Sequence, residues 1–326
     1  MFPSEPQPFL SHPLLANGHV QTLAGMYLPG KKYRYAAVQH RIQLPDGDVV
    51  VLHDDRPESW QPGGEMALLI HGLAGCHLSP YMVRIAGKLN EVGIRTFRFD
   101  LRGCGAGAGL AKLPYHGGKS DDVRSVLKFL EELCPESSCS AIGFSLSGNM
   151  VLKLVGEEAE PLPENLAKVI AVNPPVQLAA AAENISRPSM RVYDRHFVNL
   201  LYQQVLHRKK VFPDAPLGAM TAKPRSLVEF DDCYTAPVSG FRDAADYYKQ
   251  CSAAQFLSGI QIPTTILAAA DDPMVPRHCF TDLQISGSVK LHLVPRGGHL
   301  GYIARKQTAA DRRWLDWRIV EWVTEN

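Results

Sequence analysis

The hydroxyl of Ser145, the imidazole of His299 and a carboxylate at Asp271 or Asp272 could together carry out acyl-transfer chemistry. A serine hydroxyl is a weak nucleophile until a base takes its proton, and the base needs a third group to orient it. Ser145 stands in Gly143-Phe144-Ser145-Leu146-Ser147, after the apolar run Cys139-Ser140-Ala141-Ile142 and before the helical pattern Gly148 to Val155. A serine on a sharp turn between a buried strand and a helix is a nucleophile elbow. The turn sets the hydroxyl at a helix N-terminus, where free N–H groups can hold a developing oxyanion. The usual pattern is G-x-S-x-G. Here Ser147 replaces the last glycine and is small enough for a tight strand–helix approach. Ser147 reads as a hydroxyl at the helix N-terminus, not as a second nucleophile.

Where such an elbow carries the serine, the acid and then the histidine follow it along the chain. Asp271-Asp272-Pro273 comes directly after the apolar run Thr264 to Ala269. His299 sits in Arg296-Gly297-Gly298-His299-Leu300-Gly301, after the run Val289 to Val294. The glycines around His299 let the backbone bend close to a substrate. Asp272 is the preferred acid, because Asp272-Pro273-Met274-Val275-Pro276 matches a D-x-x-x-P run seen after the acid in many proteins of this kind. The alternative gives the role to Asp271 and leaves Asp272 to cap the helix that follows.

A tetrahedral intermediate needs backbone donors for its oxyanion. The N–H of Leu146 is one. The second should come from the loop His71-Gly72-Leu73-Ala74-Gly75, where Leu73 is the candidate by position. His71 precedes the serine, so it reads as a residue that holds its loop by a hydrogen bond. The run Arg102-Gly103-Cys104-Gly105, with Gly107 and Gly109, is no dinucleotide fingerprint, since no G-x-G-x-x-G opens a helix there. Cys104 reads as a small buried residue. No His, Asp and Glu cluster has metal-ligand spacing, so neither a metal nor an organic cofactor is expected.

The elements that must position these groups alternate. Two hairpin strands, Ala37–Ile42 and Val49–Leu52, precede the apolar strand Met66–Ile70, which reads as buried on both faces of a parallel sheet. A helix over 80–91, the strand Arg95–Phe99, a helix from Ser120 to Leu133 with a cap and acidic first turn at Ser120-Asp121-Asp122, the elbow, and the strand Lys168–Val172 follow. This alternation means a mostly parallel sheet flanked by helices. After Asn173-Pro174-Pro175 it stops. Residues 176–260 show helical periodicity, as over Tyr193 to Val205, and are too long for a bare loop. They read as a helical cap inserted after the sixth core strand, with residues 36–175 and 261–326 as the α/β core. Residues 1–35, rich in proline, glycine and aromatics, read as an irregular arm. A last amphipathic helix runs from about Ala309 to Val323.

Composition excludes several classes. The chain has 326 residues, 45% of them hydrophobic, enough for one large α/β domain with an insertion. Its formal net charge is +1, with no basic stripe of the kind that binds nucleic acid. The basic run His207-Arg208-Lys209-Lys210 reads as the surface end of a helix. No secretory signal and no apolar stretch of membrane-spanning length is read. The seven cysteines form no C-x-x-C pair, so neither a disulfide framework nor a structural zinc site is indicated, and a reducing, cytoplasmic compartment is expected. Nothing in the sequence sets the oligomeric state.

These motifs resemble the YheT-like branch of the α/β-hydrolases, related to the eukaryotic abhydrolase-domain proteins. The matching segments are Asn17 to Thr22, His71 to Gly75, Phe99 to Gly105, Gly143 to Asn149, Asn173 to Pro175, Phe230 to Asp232, Tyr234 to Pro237, Gly240-Phe241, Ala270 to Pro273 and Gly297 to Gly301. They span nearly the whole chain in one order. The resemblance implies an α/β-hydrolase fold, a Ser145–Asp272–His299 triad and carboxylic-ester hydrolase activity on small-molecule esters or lipids. Acyl transfer or thioester cleavage by the same triad is an alternative, as is a non-catalytic small-molecule receptor. Eukaryotic relatives often carry an N-terminal membrane anchor; none is read here, so the soluble bacterial form is expected. Asn17 to Thr22 could fold beside the site or brace the sheet, and bracing is preferred. Phe230 to Phe241 could line an acyl pocket, and its Asp231 and Asp232 fit helix caps equally well. The apolar segment Phe197 to Tyr202 fits an acyl site or the core of the cap.

Overall fold

Runs without polar alternation become the central strands of the sheet. In strand β3 (Met66–Ile70) every residue is buried, and alternate side chains enter opposite layers. Met66, Leu68 and Ile70 pack with Val123, Leu127, Met150 and Leu154, whereas Ala67 and Leu69 pack with Met82, Ile85, Leu315 and Ile319. A polar residue at any of these positions would face one apolar layer or the other. Truncating Leu68 or Leu69 to alanine would cost about 2–5 kcal/mol.

The computed structural model describes residues 8–157, 160–306 and 310–325. Eight strands form one sheet in the order β1-β2-β4-β3-β5-β6-β7-β8. Strands β1 (Val38–Gln43) and β2 (Val49–Asp55) form the predicted hairpin, and β2 runs antiparallel to β4 (Arg95–Asp100). From β4 onward all pairings are parallel, through β3, β5 (Cys139–Phe144), β6 (Leu166–Val172), β7 (Thr264–Ala269) and β8 (Val289–Val294). The chain winds one way from β3 to β4 and the other way to β5. The loops after β3 and β5 therefore diverge and leave a crevice at the C-terminal ends of the strands, where open α/β sheets bind ligands.

Helices α2 (Pro80–Glu91) and α10 (Trp314–Thr324) cover one face, and α3 (Ser120–Leu133) and α4 (Leu146–Gly156) the other. Between β6 and β7 the described elements are helical: α5 (Leu178–Ile185), α6 (Arg191–Val211), the short turns α7 (Leu227–Phe230) and α8 (Ala236–Val238) around a π-helical turn at Asp231–Thr235, and α9 (Ala244–Cys251). No helix among the described residues is long and apolar enough to cross a membrane.

Four local expectations need correction. Residues 18–27 form a regular helix, α1 (Gly18–Tyr27), capped by the Asn17 side chain. The N-cap of α3 is Lys119; Ser120 is already inside the helix. The last helix begins at Trp314, and the expected start at Ala309 lies outside the described residues. The basic run does end a helix, α6, but Arg208 is buried and not at the surface.

Candidate active site

Ser145 follows β5 directly and adopts φ +53°, ψ −119°, a conformation that L-residues other than glycine rarely enter. Close packing enforces it. A side chain at Gly143 would collide with the carbonyl of Ser147 at 2.3 Å, and one at Gly72 would sit 3.0 Å from the Ser145 Cβ. The Ser145 N–H donates to the Val172 carbonyl at 2.8 Å, tying the turn to β6. Ser147 is fully buried, and its hydroxyl donates to the carbonyl of His71. The residue that replaces the usual glycine thus clamps the elbow helix to the loop after β3.

His299 lies in the loop after β8. Its Nε2 is 2.9 Å from Ser145 Oγ and its Nδ1 is 2.8 Å from Asp272 Oδ2. The carboxylate fixes the tautomer: Nδ1–H donates to Asp272, and Nε2 is left to accept the serine proton. Asp272 Oδ1 accepts the N–H groups of Met274 and Val275 at 2.8 and 3.1 Å, so one carboxylate caps the turn and holds the imidazole. Its Oδ2 also accepts from Asn173 Nδ2 at 2.6 Å. Asn173, in turn, accepts from the buried hydroxyl of Tyr302 at 2.8 Å. Asp271 does not reach His299. It accepts the Gly298 N–H at 2.9 Å, and burial raises its pKa.

The backbone donors sort by elimination. In the loop after β3, the Gly72 N–H donates to Tyr81, Ala74 to Tyr115, Gly75 to the Gly72 carbonyl and Cys76 to Ser79. The Leu73 N–H has no acceptor among the described residues. Leu146 opens α4, and the first N–H groups of a helix have no intrahelical partner. His71 bridges from this loop to the next strand: its Nδ1 donates to the Gly72 carbonyl at 2.7 Å and its Nε2 accepts from Leu101 at 3.1 Å. Burial lowers its pKa, so it stays a neutral link.

Two clefts meet at Ser145, His299 and Leu73. One lies between the sheet and the helical segment from α5 to α9 and is walled mainly by apolar side chains such as Leu178, Ile185, Leu201 and Phe230. The other opens past Met26, Tyr81, Leu200 and Leu300. Phe197 borders both. Of the segment Phe230 to Phe241, Phe230, Asp231, Tyr234 and Thr235 line the inner cavity. Asp231 accepts from Tyr248 at 2.7 Å, and burial lifts its pKa to about 6. Asp232 accepts the Ala244 N–H at the start of α9. His116 lines the same cavity, and burial drops its pKa to about 3, so it is a neutral wall.

Sequence reasoning missed several supports. Asn17 to Thr22 braces the histidine loop rather than the sheet. Thr22 Oγ1 accepts the His299 N–H at 2.9 Å, and Gln21 bonds both the N–H and the carbonyl of Ile303. Gly18 packs so tightly on Asp271 that a Cβ would lie 1.8 Å from its carbonyl oxygen. Asn17 to Thr22 and Asn173 already stood among the family-like motifs, but only the fold shows what they touch. The fold also gathers His53, His77 and Asp100, a set of metal-ligand types that spacing could not reveal. The two imidazoles stack 3.6 Å apart, and each is within 2.9 Å of one Asp100 oxygen. At that distance the ring N–H groups donate to the carboxylate, which also accepts the backbone N–H groups of His77 and Ala106. This is a satisfied hydrogen-bond cluster that anchors the loop after β3.

The alpha/beta hydrolase fold profile matches residues 68–305. The chain is 31% identical to YheT of Escherichia coli (strain K12) over 315 residues, which cover 95% of this chain and 91% of that protein. It is 28% identical to a monoacylglycerol lipase of Saccharomyces cerevisiae over 258 residues, 76% of this chain and 56% of the lipase. Among solved structures it is similar to the esterase Pf2001 of Pyrococcus furiosus. That likeness has a TM-score of 0.56 and 15% identity, and covers 90% of this chain and 96% of the other.

Proposed function

Because the chain belongs to the alpha/beta hydrolase family, we propose that it cleaves carboxylic esters through an acyl-enzyme on Ser145. The observation that carries this reading is the hydrogen-bond chain from Ser145 through His299 to Asp272, set where an apolar cavity meets an open cleft.

As Ser145 Oγ bonds to the ester carbonyl carbon, its proton passes to His299 Nε2. The carbonyl electrons move onto oxygen, which the N–H groups of Leu73 and Leu146 receive. The oxyanion then collapses, the C–O bond to the alcohol breaks, and His299 returns the proton to the leaving oxygen. Water enters, gives its proton to His299, attacks the acyl carbon and releases the acid as Ser145 regains its proton. Asp272 keeps the imidazole in the required tautomer throughout and stabilises its protonated form. Removing one oxyanion donor in such a site costs about 2.7–4 kcal/mol.

The apolar wall supports an acyl chain in the inner cavity, with the alcohol toward the open cleft. The similarity to a monoacylglycerol lipase supports a fatty-acid ester as the substrate class. The helical segment between β6 and β7 then serves as a cap over the acyl chain.

The test is hydrolysis of p-nitrophenyl esters, from acetate to palmitate, by wild type and Ser145→Ala in parallel. Turnover lost in the variant, with fluorophosphonate labelling of wild type alone, is expected. Neither turnover nor labelling in wild type would overturn the reading.

A further inference from the structure

The far end of the inner cavity holds a charge that an ester hydrolase with a purely apolar acyl pocket would not need. Arg208 lines that cavity and is only 4% exposed. Its Nη1 donates to the Tyr234 hydroxyl at 2.7 Å, and its Nε is buried without a hydrogen-bond partner. Most other buried guanidinium groups among the described residues are neutralised, and Arg313 is met instead by the backbone carbonyls of Ala24, Gly25 and Leu28. Arg102 reaches Asp46, Asp48 and Asp122; Arg95 reaches Asp54; Arg98 reaches Asp55; Arg84 reaches Asp316. For Arg208 no carboxylate lies within ion-pair distance among the described residues. Asp231, on the same cavity wall, is bonded to Tyr248 instead. A buried, unpaired charge costs several kcal/mol of lost hydration. The C-terminal dipole of α6 offsets a small part of that.

The geometry says where a counter-ion would come from. Phe197, Leu201, Gln204, Val205 and Arg208 all line the cavity, at i, i+4, i+7, i+8 and i+11 of α6, which is one helix face. Phe197 borders the cleft that holds Ser145, whereas Arg208 lies against Gly103, whose φ of +68° and missing side chain leave room for the guanidinium. From Phe197 to Arg208 the helix rises about 16 Å. An acyl chain on Ser145 that follows this face is apolar for most of its length and ends at a cation. The free Nε–H and the neighbouring Nη2 form the guanidinium edge that matches a carboxylate with two parallel hydrogen bonds. One guanidinium balances one negative charge, which favours a carboxylate over a phosphate dianion.

Resting on the ester-hydrolase reading above, we propose that Arg208 binds a carboxylate at the distal end of the acyl chain. The favoured substrates are then half-esters of medium-length α,ω-dicarboxylic acids.

The experiment compares kcat/KM for p-nitrophenyl half-esters of suberate, sebacate and dodecanedioate with p-nitrophenyl esters of the matching monoacids. Wild type is expected to prefer a half-ester at one or more of these lengths. Arg208→Met is expected to lower that preference about tenfold or more, the worth of a hydrogen bond to a charged group. Arg208→Lys, a point charge without the fork, should retain part of it. Wild type that turns over the neutral esters but never prefers a half-ester would overturn this proposal and leave the hydrolase reading intact. If no ester is turned over and fluorophosphonate does not label wild type, the hydrolase reading fails and binding decides this one. Free sebacate should raise the melting temperature of wild type, and no shift in wild type would refute the carboxylate site even if Arg208→Met does not fold.

Discussion

The hydroxyl of Thr22 accepts the backbone N–H of His299 at 2.9 Å and donates to the carbonyl of Gly18 at 2.7 Å. The two residues are 277 positions apart and both are buried, so the N-terminal helix sets the loop that carries the imidazole. Thr22→Val keeps the shape and removes the acceptor, leaving a buried N–H unsatisfied at about 1–3 kcal/mol. We expect kcat on p-nitrophenyl esters to fall about tenfold with KM little changed, and Thr22→Ser to restore it. An unchanged kcat would detach the N-terminal helix from the site's chemistry.

The adjacent acids separate cleanly by substitution. Asp272→Asn replaces the acceptor that fixes the His299 tautomer, a change worth about 10⁴ in kcat in serine hydrolases. Asp271→Asn keeps a carbonyl oxygen that can accept the Gly298 N–H and leaves the imidazole its partner, so a loss below about tenfold is expected. Steady-state rates of the two variants check this, and the reverse order would make Asp271 the acid.

Much of this was legible in the sequence, for identifiable reasons. The runs Met66–Ile70 and Thr264–Ala269 are strands over those same residues because they are buried on both faces of the sheet, whereas Val289–Val294, interrupted by Lys290 and His292, is a strand at the partly exposed edge. The elbow was legible because its chemistry is local, all within Gly143 to Gly148. Residues whose partners are far along the chain were not. Nothing near Thr22 in sequence announces His299, and nothing near Arg208 distinguishes it from the lysines that follow. Arg208 lies on the cavity-lining face of α6, and helical periodicity gives a face without saying what the face meets. Asp271 and Asp272 differ only in which way a turn directs them, and that depends on Asn173 and Gly298.

The Leu73 N–H is held in place by its neighbour. Tyr115 accepts the N–H of Ala74, a residue at φ +56°, and so pins the loop in a strained turn. Tyr115→Phe should cost one hydrogen bond, about 0.5–1.5 kcal/mol, and lower kcat roughly two- to tenfold. With Leu73 as the proposed oxyanion donor, a trifluoromethyl ketone inhibitor should lose affinity by a similar factor while KM for esters stays near wild type. Equal losses in KM and inhibitor binding would point to a distorted pocket instead.

Asp231 should leave a signature in stability against pH. Its ordinary pKa of 3.8 rises to about 6 because burial disfavours the charged form. An acid whose folded pKa lies above its unfolded value binds more protons folded than unfolded between the two, so stability falls as pH rises through that window. The size follows from the shift, on the order of 3 kcal/mol at 1.36 kcal/mol per pH unit. Asp231→Asn stays neutral at every pH and can still accept from Tyr248. The stability of wild type relative to this variant, from denaturant unfolding, is therefore expected to decline from about pH 4 to about pH 6 and then level off. A difference that does not vary with pH would mean that the buried carboxyl ionises as readily in the folded protein as in water. In that case the inner cavity must supply Asp231 with stabilisation beyond the hydroxyls of Tyr248 and Thr235.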